Sequence, residues 1–284
     1  LGESQNDKML GVCPIDGKDY LCRAEQPLLA ADEFGRIADT EADPLLQREA
    51  AWTAASLYQR AGQDNNAIKA YARFVDKFPS PVEQAMEARL QLVALYEKAG
   101  DVAKQRYWQQ QIVAADRSAG SQRSDRTRYL AAHARLALAT ADLEKYRRVK
   151  LIEPLKKNLA TKKDLMKITI AGLTEAAGYK VADVTTQATF LTGELYSDFS
   201  KALMQSERPR NLNAEELEQY DILLEEQAYP FEEKAIEVHE TNTQRIVSGV
   251  YDHWTRRSMA SLAELMPVRY AKQEEGENYV AVLR

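Results

Sequence analysis

The feature of the sequence that most constrains the fold is an internal repeat with an offset of 38 residues. Two apolar segments end at Tyr58 and at Tyr96, and each is followed by an Ala-Gly pair, at 61–62 and at 99–100. A repeat of roughly 34 to 40 residues is the length of one helical hairpin, which cannot bury its apolar face alone. The sequence therefore predicts stacked helical hairpins with a concave surface that can hold another chain.

Composition supports an all-α fold. The chain has 284 residues and is 45% hydrophobic, which is enough for one large or two modest domains. Glycine and proline are few, alternating runs of β-branched residues are scarce, and the good helix formers Ala, Leu, Glu, Lys and Arg dominate. We therefore expect a solenoid of helical hairpins followed by a bundle of longer helices, and no sheet.

The first repeat places small and aromatic residues where paired helices would touch. They are Ala51, Ala54, Ala55, Tyr58, Ala67, Tyr71 and Phe74, with Pro79 closing the unit. This pattern resembles the tetratricopeptide repeat (TPR), and residues 67–81 are similar to the repeats of bacterial envelope proteins, including outer-membrane assembly lipoproteins and cell-division coordinators. The second repeat departs from the pattern at Gln105 and Gln109 and lacks the closing proline. Two ordinary antiparallel helix pairs remain the alternative.

Segments on either side of the repeats also predict helices. Residues 25–38 predict a short amphipathic helix that covers the first hairpin through Leu28, Leu29 and Phe34. A polar segment at 116–125 marks the expected domain boundary. Beyond it we expect longer helices at 126–149, 153–177, 181–206, 213–228 and 231–264, with prolines separating the last three at Pro209 and Pro230. An apolar stripe is expected to form the bundle seam along Val181, Val184, Ala188, Leu191, Leu195, Phe199 and Leu203.

The second half of the chain also resembles a known module. Residues 219–242, 249–254 and 265–270 resemble the C-terminal module of large bacterial TPR proteins associated with gliding motility or with envelope systems of the TonB or Tol type. The resemblance implies the C-terminal portion of a larger TPR protein, and it implies no catalytic residue. The expected parts are an N-terminal segment at 1–24, TPR-like repeats at 25–118, a bundle at 126–272 and a tail at 273–284.

The two cysteines indicate the cellular compartment. Cys13 and Cys22 lie in one turn-like segment, and an isolated pair of this kind is typical of a disulfide formed in an oxidising compartment. Two free thiols remain the alternative, and a metal site lacks a CxxC spacing or a nearby histidine. Together with the envelope-like repeats, the pair favours the periplasm, with an outer-membrane association left open. Because Leu1 is not an initiator Met, we expect a mature product or a fragment.

The sequence contains no recognisable reaction centre. No motif of a metalloprotease, a serine hydrolase or a phosphate-binding loop occurs, so we expect no catalytic residue, no metal and no cofactor. Of the three histidines, His239 is expected on the exposed side of an acidic helix. The net charge of −5 is interpreted as spread over mixed-sign segments, which argues against nucleic-acid binding, and the basic run at 147–150 is interpreted as a solvated helix face. No apolar stretch reaches the roughly 20 residues of a membrane span.

The resemblance to TPR proteins assigns a partner-binding surface to the inward helix of each hairpin. The assigned residues are Trp52, Ser56, Gln59, Arg60, Leu90, Glu97 and Lys98. An indole beside Gln and Arg is typical of an interface anchor, and the alternative is that the helix at 25–38 covers Trp52. A second polar and aromatic group lies within the predicted last helix and either lines a groove or packs the bundle; it comprises Asn242, Arg245, Gly249, Asp252 and Trp254.

The sequence thus predicts a non-enzymatic protein–protein interaction scaffold of a bacterial cell-envelope assembly. Its repeats would hold a peptide or helix of a partner protein, and its bundle would dock to a larger assembly. Two alternatives stay open: a helical hydrolase of cell-wall material, whose signature would be facing carboxylates in a closed cleft, and a cytosolic TPR regulator with reduced cysteines.

Overall fold

The computed structural model of the protein describes residues 11–15, 18–22 and 27–271, and most of these residues are helical. Two strands, β1 (Gly11–Ile15) and β2 (Lys18–Cys22), form an antiparallel hairpin, which is an exception to the expectation of no sheet. The helices are α1 (Pro27–Thr40), α2 (Pro44–Arg60), α3 (Asp64–Lys77), α4 (Val82–Lys98), α5 (Val102–Ser118), α6 (Asp125–Arg148), α7 (Leu155–Gly178), α8 (Ala182–Met204), α9 (Ala214–Gln244), α10 (His253–Leu265) and α11 (Pro267–Tyr270). The predicted all-α class, with helical hairpins followed by a bundle of longer helices, is confirmed.

The chain divides into two compact units between Ala134 and Arg135, inside α6. The first unit contains the β-hairpin, α1 to α5 and the beginning of α6, and the second contains the rest of α6 and α7 to α11. The polar segment expected as the boundary is a short connection between α5 and α6 that includes a 3-10 turn at Gly120–Gln122. The tail at 273–284 lies outside the described residues.

The 38-residue repeat is confirmed in helix lengths and in turn geometry. Helices α2 and α4 both contain 17 residues, and they begin 38 residues apart. Each is followed by a glycine, Gly62 or Gly100, whose φ is +71° in both turns. The glycine N–H donates to the carbonyl three residues earlier at 3.0 Å in both, and the next N–H donates to the carbonyl five residues earlier at 2.9 and 3.0 Å. The two hairpins therefore use the same left-handed glycine cap.

We expect Gly62→Ala and Gly100→Ala to lower the free energy of unfolding by the same amount, about 1 kcal/mol each, because a Cβ atom disfavours this φ. Denaturant unfolding of the two variants measures the costs. The control is Gly35→Ala in α1, where an added Cβ meets nothing within 4 Å and should be neutral or stabilising. A cost at one turn but not at the other would contradict the equivalence of the hairpins.

Large and small residues alternate in the core of the repeat unit. Tyr71 and Phe74 of α3 are buried between α2 and α4 against the small residues Ala55 and Ala88 and against Leu92. Small residues allow the helices to approach closely, and the aromatic rings fill the space that remains.

Helix α1 covers the other side of α2, as expected, but it uses different residues. Phe34 is buried on α2, whereas the exposed fractions of Leu28 and Leu29 are 40% and 63%. The contact of α1 is completed instead by Ala31 and Ala38. The apolar face of α1 is therefore set by small residues that fit against α2, which hydrophobicity alone does not reveal.

The expected seam of α8 is confirmed. Six of its seven residues are buried, and Val181 is the half-buried N-cap residue of the helix. Helix α8 packs against α7, α9 and α10. A capping box formed by Asn213 and Glu216 begins α9.

The expectation that Pro230 ends a helix is wrong. Helix α9 continues through Pro230 from Ala214 to Gln244. Proline removes one helical hydrogen bond, but Ala228 is buried beside it and the Phe231 ring lies 4.5 Å from the Phe199 ring of α8, so packing holds the helix together. The break falls instead after Gln244, where Gly249 adopts a φ of +84° and ends a 3-10 turn. Gly249 thus shapes a connection and does not permit a close helix crossing.

The cysteine pair lies on the β-hairpin. The register pairs Cys13 with Tyr20 and Cys22 with Gly11, so the two cysteines are diagonal neighbours and are not directly opposite each other. Their side chains lie outside the described residues. The disulfide therefore stays a prediction.

Candidate partner-binding surface

Two exposed stripes recur on the first helices of the two hairpins. On α4 the residues at spacings of three and four share one helical face, and on α2 the equivalent residues lie 38 positions earlier. We call the surface formed by these two stripes and by three residues at the beginning of α6 the first-helix face. It consists of Leu45, Glu49, Trp52, Ser56, Gln59 and Arg60 of α2, of Glu83, Glu87, Leu90, Ala94, Glu97 and Lys98 of α4, and of Arg126, Tyr129 and His133 of α6. All of these side chains are exposed or half-buried.

Polar bridges join α2 to α4 and α4 to the beginning of α6. The Gln59 amide nitrogen donates to Gln91 Oε1 at 2.9 Å. Arg126 Nε donates to Glu87 Oε1 at 2.5 Å, and Ser124, just before α6, donates through Oγ to Glu83 Oε2 at 2.7 Å. Helices α2, α4 and the beginning of α6 therefore lie side by side, and their exposed residues form one continuous surface.

Trp52, the residue expected to anchor a partner, packs mainly inside the hairpin. Its ring lies edge-to-face at 5.6 Å from the Tyr71 ring and 5.4 Å from the Phe74 ring, both on α3. The element that covers it is therefore α3, and not the helix at 25–38 that the alternative proposed. The half-buried indole fills the gap between α2 and α3, and its role in partner binding stays a prediction.

The other predicted residues differ in exposure. Ser56 is half-buried and donates to carbonyls of its own helix, both at 3.1 Å, and Gln59 accepts a hydrogen bond from the Tyr71 hydroxyl at 2.8 Å. Arg60 and Glu97 are exposed at the ends of α2 and α4. Lys98 is also exposed but forms an ion pair with Asp64 at 2.7 Å, and Leu90 is half-buried.

The start of α6 contributes residues that the sequence reasoning missed. Tyr129 is 40% exposed, its ring lies 4.3 Å from the His133 ring, and the Arg126 guanidinium lies 5.4 Å above it. The hydrogen bond from Arg126 to Glu87 raises the pKa of the arginine. Residues 126, 129 and 133 are spaced by three and four positions, which predicts that they share one helical face. They were assigned to the bundle because the domain boundary was expected at 116–125.

A groove of 360 Å³ lies between α1 and α3, with Ala51 and Ala54 of α2 lining it. Polar contacts cross it: Arg73 pairs with Asp39 at 2.5 Å, and the Tyr58 hydroxyl donates to Asp32. Burial and this hydrogen bond raise the pKa of Tyr58 to about 12. Polar bridges also cross the first-helix face, but that face continues over three helices, so we take it as the candidate surface.

A buried polar network lies in the second unit, and it contains His239. The expectation that His239 is exposed is wrong, because its exposed fraction is 0%. Its Nδ1 lies 3.2 Å from Ser258 Oγ, and its Nε2 lies 3.5 Å from Glu194 Oε1. Asn242 donates to Ser258 Oγ at 2.8 Å and to the Thr186 carbonyl at 3.1 Å. The network ties α8, α9 and α10 together.

Ser258, His239 and Glu194 are the residue types of a hydrolytic triad, but their setting is that of a core. Ser258 and His239 are both fully buried, and the imidazole lies directly over Gly193. A catalytic serine must reach a substrate carbonyl, and this hydroxyl is sealed from solvent and already bonded by Asn242. The arrangement therefore fits a packing role.

Two carboxylates at the edge of this network are held in their charged form. Burial alone would raise the pKa of Asp252, but hydrogen bonds from Thr186 Oγ1 at 2.5 Å and from the N–H groups of Trp254 and Thr255 lower it. Burial would likewise raise the pKa of Glu194, but the nearby His239 imidazole and the hydrogen bond that Ser261 Oγ donates at 2.8 Å lower it. Asp252 therefore works as the N-cap of α10, which favours the packing interpretation of this polar group.

Charge is separated along the second half of the chain, contrary to the expectation of mixed-sign segments. Helix α9 contains ten Asp and Glu residues against one Lys. Residues 145–167 contain nine Lys and Arg residues against two Asp and Glu. The small net charge therefore conceals an acidic helix and a basic segment.

Neither a metal cluster nor a membrane span is found in the residues that the structure describes. No group of three or more His, Cys, Asp or Glu side chains there could hold a metal ion. Nor does any helix of that part combine the length and apolar character of a membrane span.

Comparison with models of known protein families, with curated protein sequences and with solved structures returned no match. The class of the protein is therefore given by its fold alone: helical hairpins followed by a helical bundle.

Proposed function

We propose that this protein is a non-enzymatic scaffold whose first-helix face binds a peptide or helix of a partner protein. The observation that carries the proposal is the continuity of this face, in which three neighbouring helices present their exposed stripes side by side. Stacked hairpins generally use such extended surfaces for binding. A single hairpin would offer only one stripe, and the second hairpin with α6 extends it.

The chemistry of the first-helix face suits a protein partner. Leu90 and Tyr129 offer apolar and aromatic area, and Arg60, Glu97 and Arg126 add charged groups to the same face. Protein interfaces combine aromatic and arginine anchors with a polar rim. Both charge signs are present, so the expected partner segment carries both signs as well.

The proposal places the scaffold in the bacterial envelope, on the periplasmic side, with the bundle docking to a larger assembly. Two observations support it: the TPR-like hairpins, and a cysteine pair within one β-hairpin. Thiol titration under denaturing conditions tests the compartment, because a periplasmic protein should show no free thiol before reduction and two afterwards. Two free thiols before reduction would favour the cytosolic regulator instead.

Site-specific photo-cross-linking tests the binding surface. A photoreactive residue at Ala94, on the first-helix face, should capture a partner in cells of the source organism, whereas one at the exposed Ala114 of α5 should not. With the captured partner purified, Arg60→Ala combined with Glu97→Ala should weaken its binding about tenfold. The matched control is Lys69→Ala with Asp76→Ala, which removes one charge of each sign from α3. Capture at Ala114 alone, or equal weakening by both pairs, would overturn the assigned surface.

A further inference from the structure

A basic cavity lies in the second unit. It encloses 590 Å³ where the end of α6, the following connection, α7 and α8 meet. Four cationic side chains line it, from Arg147, Lys150, Lys162 and Lys201, and Asp198 is the one carboxylate in its lining. In a protein whose net charge is −5, this concentration of positive charge in a concave site is a local exception.

Lys162 is the buried member of this cavity. Its exposed fraction is 4%, and its Nζ donates to the carbonyls of Tyr146 and Val149 at 3.1 and 3.0 Å. The ammonium also lies 3.9 Å from the centroid of the Tyr146 ring. Within the described part of the chain, it forms no ion pair with a carboxylate. Its charge is therefore held by carbonyl dipoles and an aromatic face, without the carboxylate partner that buried charges ordinarily have.

The one carboxylate in the cavity is already engaged. Asp198 accepts a hydrogen bond from Arg147 Nε at 3.1 Å. Burial lowers the pKa of Lys162, because removing an ammonium from water disfavours its charge, and Asp198 only partly offsets this effect. An anion in the cavity would stabilise the charged form of Lys162 further.

The wall of the cavity is held in place before any ligand binds. The two carbonyls at the end of α6 that would repel an anion are the ones that Lys162 bonds. The Leu151 carbonyl accepts the N–H of Glu207 at 2.9 Å, which fixes the connection to the end of α8, and Leu151 itself is buried. Lys150 and Lys201 are exposed at the rim and can turn toward a ligand. The site therefore combines a fixed base with adjustable cations.

We propose that this cavity binds a phosphate group carried by a small molecule or by a lipid headgroup. A phosphate monoester carries close to two negative charges and three acceptor oxygens, which suits a cavity lined by three lysines better than a single carboxylate does. The volume exceeds that of a phosphate alone, so the group would enter as an ester. This site is separate from the first-helix face and does not depend on the proposed function.

Calorimetric titration with glycerol 3-phosphate, at about 50 mM salt so that charges are not fully screened, tests the site. We expect saturable binding that Lys150→Ala combined with Lys201→Ala weakens about tenfold. The matched control is Lys156→Ala with Lys163→Ala, which removes the same charge from exposed positions of α7 that do not line the cavity. Both pairs leave Lys162 and its structural bonds intact, so folding is preserved.

Vesicles of phosphatidic acid, whose headgroup is a phosphate monoester, in phosphatidylcholine form the second arm and distinguish the source of the phosphate. If Lys150→Ala with Lys201→Ala weakens binding to the vesicles and the control pair does not, the site binds a lipid headgroup. If the protein binds glycerol 3-phosphate but not the vesicles, the ligand is a soluble ester. Equal weakening by the two lysine pairs would show unspecific attraction and would overturn the proposal. So would the absence of saturable binding to both probes.

Discussion

Replacing Gly193 with Ala should lower the free energy of unfolding of the second unit by about 3 kcal/mol. An added Cβ would lie 2.5 Å from His239 Nε2, 2.6 Å from Cε1 and 2.8 Å from Cδ2, distances that non-bonded atoms do not adopt. The ring cannot retreat, because it is fully buried, it lies 5.6 Å from the Phe190 ring, and Ser258 holds its other side. Denaturant unfolding followed by circular dichroism measures the loss.

A matched glycine and a double mutant make this prediction specific. Gly178→Ala, at the end of α7, places a Cβ where nothing lies within 4 Å, and it should change stability by less than about 0.5 kcal/mol. His239→Ala should cost much less in the Gly193→Ala protein than in the parent, because it removes the clash. Additive costs of the two substitutions would show that the residues do not touch.

Replacing Trp52 with Ala should lower the free energy of unfolding of the repeat unit by about 3 kcal/mol, because it empties a space between α2 and α3. The indole packs edge-to-face on Tyr71 and Phe74. Trp52→Phe should retain part of the packing and lose less. The experiment is denaturant unfolding, combined with partner binding measured well below the transition.

The control for Trp52→Ala is the substitution of an exposed residue on the same helix. Arg60→Ala should leave stability within about 0.5 kcal/mol of the parent, because this side chain is exposed. If Trp52→Ala left stability unchanged and abolished only partner binding, the indole would be an interface anchor, and its packing on α3 would contribute little.

Local signals explain what could be predicted from the sequence. The Ala-Gly pairs predicted both turns because a left-handed residue at a helix end is a property of a few neighbouring residues. The stripe of α8 was predicted because burial on one helix face leaves a period of three to four residues. Pro230 failed as a signal because packing on both sides of it, at Ala228 and Phe231, outweighs one missing hydrogen bond.

Contacts between distant segments explain what could not be predicted. The polar network joins Glu194, His239 and Ser258 from three helices, and no spacing in the sequence announces their meeting. Next to an acidic neighbour, His239 looks like a surface residue, and only the opposing Gly193 reveals that it faces the core. The basic cavity was not predicted for the same reason. Arg147 and Lys150 of the run at 147–150 line it only together with Lys162 and Lys201, which are distant in the sequence.

The shared geometry of the two hairpin turns makes the hairpin an exchangeable module. Removing residues 62–99 would join Ala61 directly to Gly100 and recreate the same Ala-Gly connection between α2 and α5. Duplicating the same 38 residues would add a hairpin in register. The length of the helical array can therefore grow or shrink in whole hairpins without the invention of a new loop.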